Sequence, residues 1–129
     1  MATSTKRVVS PSLGAKPIGP YSPAIQIGDF LFTSGQIGVD PETGKLTTGG
    51  IEAETRQALA NRKALVEAGG SSLDKVVKTT LFLTDIADFA TVNKIYAESF
   101  AADPPARSTV QVAALPGGAS FEIEAIGTL

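Results

Sequence analysis

Two alternating runs near the end of the chain give its clearest periodic signal. Val110, Val112 and Ala114 fall on one side of the first run, and Arg107, Thr109 and Gln111 on the other. After a Leu115-Pro116-Gly117-Gly118 break, Phe121, Ile123 and Ala125 alternate with Glu122 and Glu124. A period of two predicts half-buried strands, and Pro and Gly predict the turn between them. Paired as a hairpin, the two strands set Ala114 near Phe121 and Arg107 beside Thr128. Arg107 and Glu122 of one chain then stand roughly 20 Å apart, too far to grip one small molecule. A site using both would draw them from different copies of the chain. Arg107 opens its strand directly after Pro104-Pro105-Ala106, and the fixed proline φ angles make it a positioned side chain.

Upstream, Met1 to Thr5 reads as a frayed end, Lys6 to Val9 as a short edge strand and Ser10 to Tyr21 as an ordered loop. Tyr21 is held between Pro20 and Pro23. Ala24 to Ile27 and Phe30 to Gln36 flank Gly28-Asp29, a two-residue hairpin signal. Ser34-Gly35 closes the second of these strands, where a glycine permits close backbone approach by a ligand or marks a bulge. Asp40 to Lys45 is a surface turn that lacks the spacing of a phosphate loop. Ile51 to Ala68 predicts a helix stopped by Gly69-Gly70, with Ile51, Thr55, Ala58, Leu59, Leu65 and Val66 as its inner stripe. Arg62 falls on that stripe and is expected to snorkel at its edge. Val76 to Thr84 predicts a central strand. Asp85 caps a second helix running through Phe100, with Asp88 placed for a capping-box-like pair. That helix carries the stripe Ile86, Phe89, Asn93, Tyr96 and Phe100. Asn93 lies mid-stripe, where an unbonded amide costs about 1–3 kcal/mol, so it either bonds neighbouring backbone or braces a site loop.

The order β-β-β-α-β-α-β-β is that of an α+β fold in one domain over residues 1–129. The expected form is a single mixed sheet of about six strands with two helices on one face. Two helices leave the other sheet face uncovered, and self-association is the simplest cover.

Composition narrows the chemistry. The chain has 11 basic and 13 acidic residues and a formal charge of −2. No basic run exceeds Lys6-Arg7, which disfavours nucleic-acid and anionic-membrane partners. Without cysteine or histidine there is no disulfide, thiolate nucleophile, histidine base or Cys- or His-ligated metal. No apolar run approaches a membrane span and the N-terminus lacks a signal-peptide core, so a soluble cytoplasmic protein is expected. The candidate site residues are Arg107, Glu122, Thr109, Tyr21, Ser34, Gly35 and Asn93. Arg107 offers a planar donor fork for a carboxylate, against a structural ion pair. Glu122 can orient or deprotonate a water, against a solvated strand face.

Five stretches recur in one order in a known family: Ile18-Gly19-Pro20-Tyr21-Ser22, Thr33-Ser34-Gly35-Gln36-Ile37, Val76-Val77-Lys78-Thr79-Thr80, Asp88-Phe89-Ala90-Thr91-Val92-Asn93, and Pro104 to Gly127. Over nearly its whole length the chain resembles the Rid family (RidA, also called YjgF), the reactive intermediate deaminases. The resemblance implies a homotrimer of chorismate-mutase-like fold, with the sheets at the centre and the sites at subunit interfaces. It also implies hydrolysis of 2-imino acids (2-aminoacrylate/2-iminopropanoate and 2-iminobutanoate) to 2-keto acids and ammonia, with no cofactor. Arg107 would hold the substrate carboxylate and Glu122 would position the attacking water. Tyr21, Ser34, Gly35 and Asn93 would complete the pocket. Thr109 lies where some members carry Cys, so no essential thiol is possible here, although its hydroxyl can hold a water. Arg62 occupies a position the family usually fills with an apolar residue. Relatives have also been described as non-catalytic or chaperone-like binders and as endoribonucleases, and the lack of a basic cluster disfavours the last.

Overall fold

The run of Val, Thr, Leu and Phe at 76–83 forms the strand on which the sheet is assembled. The computed structural model describes residues 5–10 and 17–129. Most of the expected frayed end and half of the Ser10–Tyr21 loop lie outside these residues. Along β5 (Val76–Leu83), Val76, Thr79, Leu81 and Leu83 are buried. To one side, β6 (Ala106–Gln111) runs parallel to it, reached through helix α2 (Phe89–Ser99). To the other side, β7 (Phe121–Thr128) runs antiparallel. The sheet continues through β3 (Phe30–Thr33) and β2 (Ala24–Ile27) to β1 (Arg7–Val9) at the edge. A two-residue β4 (Gln36–Ile37) pairs with the start of β7, which makes seven strands. Helix α1 (Gly50–Ala68) links β4 to β5. The expected hairpin at Gly28-Asp29 is present, with Ile27 opposite Phe30 and Gly28 at φ 58°.

The expected pairing of the last two strands is overturned. β5 lies between β6 and β7, so Ala114 does not pair with Phe121. The helical crossover sends β6 to the outer side of β5. β7 then takes the inner side, where both of its edges are hydrogen-bonded.

One sheet face carries the core. Phe121, Ile123 and Ala125 of β7 join Leu81 and Leu83 of β5, Val92 and Ile95 of α2, and Ala58, Leu65 and Val66 of α1. The opposite face exposes Phe30, Phe32 and Val110, each more than two-fifths accessible.

Two expectations for the helices are corrected. Arg62 does not snorkel. It has no accessible surface, and its guanidinium carbon lies 4.9 Å from the Phe100 ring centroid. Helix α2 packs across α1 there, and Phe100 at its C-terminus closes the route to solvent. Burial lowers the Arg62 pKa to about 10, partly offset by attraction from Tyr96. The helix expected from Asp85 starts as a 3-10 turn, Ile86–Asp88, in which Asp85 Oδ1 accepts the Ala87 N–H at 2.9 Å. No side-chain bond from Asp88 caps α2, so the capping box is half formed.

Helix α1 lies close against the chain after β4. A Cβ on Gly38 would fall 2.6 Å from the Glu54 carbonyl oxygen and 2.8 Å from its Cα. Both are backbone atoms that cannot swing aside. We therefore expect Gly38→Ala to destabilise the fold by about 1–3 kcal/mol, the usual cost of overpacking. Urea denaturation measures it, and a change below about 0.5 kcal/mol would contradict this packing.

Candidate functional site

Strand β7 delivers the acidic side of the site. Its period-two pattern buries Phe121 and Ile123 and turns Glu122 to the open face. Glu122 pairs with Ile37 of β4 on one side and Phe82 of β5 on the other, and it borders a cavity of about 800 Å³. Tyr21, Ser34, Gly35, Ile18, Ile37 and the loop at 41–44 share that cavity. Burial first, and the neighbouring Glu124 carboxylate second, push the Glu122 carboxyl above its ordinary value of 4.5.

The cavity exists because the strand breaks beside Glu122. Phe32 pairs with Ile126 and Gln36 with Ile123, so three residues on one strand oppose two on β7. This is a bulge centred on Ser34-Gly35. Thr33 Oγ1 fills the interrupted ladder, accepting the Ala125 N–H at 2.9 Å. Ser34 Oγ donates to the Ser22 carbonyl at 2.6 Å, and the Ser34 N–H donates to the Pro23 carbonyl at 2.8 Å. These bonds tie the Tyr21 loop to the bulge. The Tyr21 hydroxyl accepts the Ile18 N–H at 3.3 Å and holds the ring at the rim. A Cβ on Gly35 would lie 2.7 Å from the Glu122 carboxylate carbon, so the glycine is what makes room for that side chain. The bulge reading of Gly35 holds, and the close approach the glycine admits here is that of the Glu122 side chain.

Arg107, Asn93 and Thr109 belong to a different place. Through β5, Arg107 stands level with Thr79 and Ala125, both on the helix-covered face. Its guanidinium carbon lies 4.8 Å from the Tyr96 ring centroid and 5.5 Å from that of Phe89. Tyr96 is fixed in turn by a 2.7 Å hydrogen bond with Thr79 Oγ1. Asn93 stands on α2 between Phe89 and Tyr96. Its Oδ1 is buried without a partner, as is the Thr109 hydroxyl on the same face of β6. Among the described residues Asn93 thus makes neither of the expected bonds, to neighbouring backbone or to a site loop. Nor does Arg107 form a structural ion pair. Among the described residues the one such pair joins Arg56 and Glu98 on the surface.

The structure thus brings Tyr21, Ser34, Gly35 and Glu122 together and places Arg107, Asn93 and Thr109 across the sheet from them. Glu122 lies three residues along β7 from Ala125, the level of Arg107. That is roughly 10 Å along the strand and about 10 Å across two strand spacings, on the opposite face. The 20 Å hairpin offset was wrong in its pairing. The separation it argued for stands for another reason, the two faces of one sheet.

Two buried polar residues of α1 brace the cavity and were not singled out from the sequence. Asn61 donates to the carbonyls of Ile37 and Val39, at 3.1 and 2.8 Å, and Glu54 accepts the Ser120 N–H at 2.8 Å. Their signal was the one noticed at Asn93, a polar side chain on the buried side of a helix. Among the described residues no cluster of acidic side chains is arranged to hold a metal ion. No helix among them is long and apolar enough to cross a membrane. The site offers a half-buried carboxylate facing a mixed cavity, and elsewhere an uncommitted guanidinium stacked on aromatic rings.

Known proteins are similar to this chain over nearly its whole length. Residues 13–129 match the family profile Endoribonuclease L-PSP. A RutC family protein of Pyrococcus horikoshii is 50% identical over 94% of this chain and 96% of its own. The human 2-iminobutanoate/2-iminopropanoate deaminase is 46% identical over 98% of this chain and 92% of its own. A solved Rid-family structure from Yersinia pestis superposes with a TM-score of 0.93 at 46% identity, covering 97% of this chain and 100% of that one.

The contact at Gly35 yields a check that needs no assay of activity. In Gly35→Ala the new methyl displaces the Glu122 side chain towards solvent, and its raised pKa should fall back towards the ordinary value. Carbon-detected NMR titration of the Glu122 carboxyl reads this directly, and an unchanged titration would show that Gly35 does not position Glu122.

Proposed function

The chain belongs to the Endoribonuclease L-PSP family, and from that premise we propose that it is a deaminase. It hydrolyses reactive 2-imino acids, such as 2-iminopropanoate and 2-iminobutanoate, to 2-keto acids and ammonia. The observation that carries the reading is Glu122, a carboxylate with a raised pKa in a cavity opened for it by Gly35. The relatives named as 2-imino acid deaminases support the substrate class. An iminium carbon is already electrophilic, so the protein need only orient water and substrate and move one proton. That inventory matches a chain without histidine or cysteine and calls on no metal or other cofactor.

In this reading Arg107 pairs with the substrate carboxylate through its donor fork. Glu122 accepts a proton from water as the oxygen adds to the imine carbon. The same carboxyl returns the proton to the nitrogen, and as the C–N bond breaks the carbinolamine hydroxyl gives its proton to the Glu122 carboxylate, so the keto-acid carbonyl forms and ammonia leaves, carrying that proton away as ammonium. Tyr21 and Ser34 line the water side, and Asn93 and Thr109 lie on the Arg107 side. Because the two sides lie on opposite faces of one sheet, a complete site combines Glu122 of one copy with Arg107 of another. The exposed Phe30, Phe32 and Val110 supply the face on which copies pack, and the homotrimer implied by the Rid resemblance is the assembly we assign. On its composition the enzyme is cytoplasmic. The family's endoribonuclease name suggests RNA as an alternative substrate, but a −2 chain with no basic cluster is a poor phosphate surface.

Rapid-quench hydrolysis of freshly generated 2-iminobutanoate tests the roles. Glu122→Gln should lower turnover by roughly 10²–10⁴ with little change in KM, the range for a lost general base. Arg107→Ala should mainly raise KM, by about 10- to 100-fold for a lost charge-assisted pair. Arg107→Lys should recover only part, since a point charge lacks the fork. The wild-type rate should fall as pH drops through the raised Glu122 pKa, with the acid limb above pH 4.5. Wild-type turnover in Glu122→Gln would end the proposal.

A further inference from the structure

Arg62 is the most anomalous residue in the core. It is fully buried, and none of its three guanidinium nitrogens has a hydrogen-bond partner among the described residues. An unpaired buried charge is strongly unfavourable, and an apolar side chain of similar volume there is usually neutral or stabilising. Local rules of this kind are most often broken where function requires it. Arg62 does have one set of neighbours with a direction. Its guanidinium carbon stacks 4.9 Å from Phe100, the Phe100 ring lies 4.6 Å from Tyr96, and Tyr96 carries Arg107 at 4.8 Å. An aromatic pair thus stands between two cations, one buried and one free to meet a ligand.

We propose that Arg62 is a positioning residue for the anion site at Arg107, its buried charge adding to the positive potential that selects a carboxylate ligand. The inference rests on the reading of Arg107 as the carboxylate-binding group. The two guanidinium carbons lie within about 15 Å of each other along the stack, and a unit charge at that distance in a medium of effective dielectric near 20 changes anion affinity several-fold. Water cannot screen it, because the intervening volume is filled by Phe100 and Tyr96, both about 6% accessible. Even after burial the group keeps its proton near neutral pH, since its pKa falls only to about 10. The aromatic faces between the cations attract both and hold Arg107 in place.

The test compares binding of 2-oxobutanoate with that of its uncharged methyl ester, by NMR titration of the assembled protein. Arg62→Met is expected to raise the Kd for the acid about 3- to 10-fold and leave that of the ester unchanged. Its Tm should equal or exceed that of the wild type. Arg62→Lys, which keeps the charge, should bind the acid within about twofold of wild type. A purely structural role would alter acid and ester alike and lower the Tm. That outcome, an unfolded Met variant, or an unchanged acid Kd in Arg62→Met overturns the inference. Arg107→Ala is the separating arm. If it too leaves acid binding unchanged, the carboxylate reading itself fails. If it weakens acid binding while Arg62→Met does not, only the role of Arg62 is lost.

Discussion

The alternation of side chains along β7 is the constraint from which the site follows. Ile123 and Ala125 must face the helices, because they complete the core with Leu81 and Leu83. A one-residue slip of register would put every side chain of the strand on the wrong face at once. Glu122 is thereby committed to the open face. The parallel pairing of β5 with β6 commits Arg107 to the helix face just as firmly, by setting it level with Thr79 and Ala125. The division of the two charged groups is a consequence of sheet geometry, and no side-chain rotation reverses it.

Buried polar groups then refine each half. On the Glu122 side, Asn61 and Glu54 reach from α1 to backbone at Ile37, Val39 and Ser120. Backbone at a strand break has lost its ladder partners, and a helix side chain replaces them at lower cost than burying them unbonded. On the Arg107 side, the bond between Thr79 and Tyr96 fixes a ring, and the ring holds the guanidinium. Two oxygens there, on Asn93 and Thr109, are buried with no partner among the described residues.

Much of this was legible in the sequence, and the parts that were not share a cause. The helix at 50–68, the turn at Gly28-Asp29 and the faces of β6 and β7 follow from local periodicity and local breakers, and the structure agrees with them. Glu122 and Arg107 were visible as polar residues on alternating strands, and Asn93 as an amide within an apolar stripe. Pairing order was not visible, because β6 and β7 are adjacent in sequence and a short Pro-Gly-Gly break looks like a hairpin turn. Only the crossover through α2 decides that β5 comes between them. Burial of Arg62 was missed for a similar reason, since whether a long cation reaches solvent depends on the neighbouring helix. The bracing roles of Glu54 and Asn61 depend on strand ends distant in sequence.

The claim on which the functional account turns is that one working site draws Glu122 and Arg107 from two copies of the chain. Chains carrying Arg107→Ala can be unfolded with chains carrying Glu122→Gln, refolded together, and checked by mass for mixed assemblies. Assayed well below the wild-type KM, each variant alone is strongly impaired, but a mixed assembly contains interfaces at which an intact Arg107 meets an intact Glu122. Recovery of a substantial fraction of imine hydrolysis in the mixed assemblies, absent when either variant is refolded alone, is the expected result. No recovery in assemblies shown by mass to be mixed would contradict the account, and would place both residues in the site of a single chain.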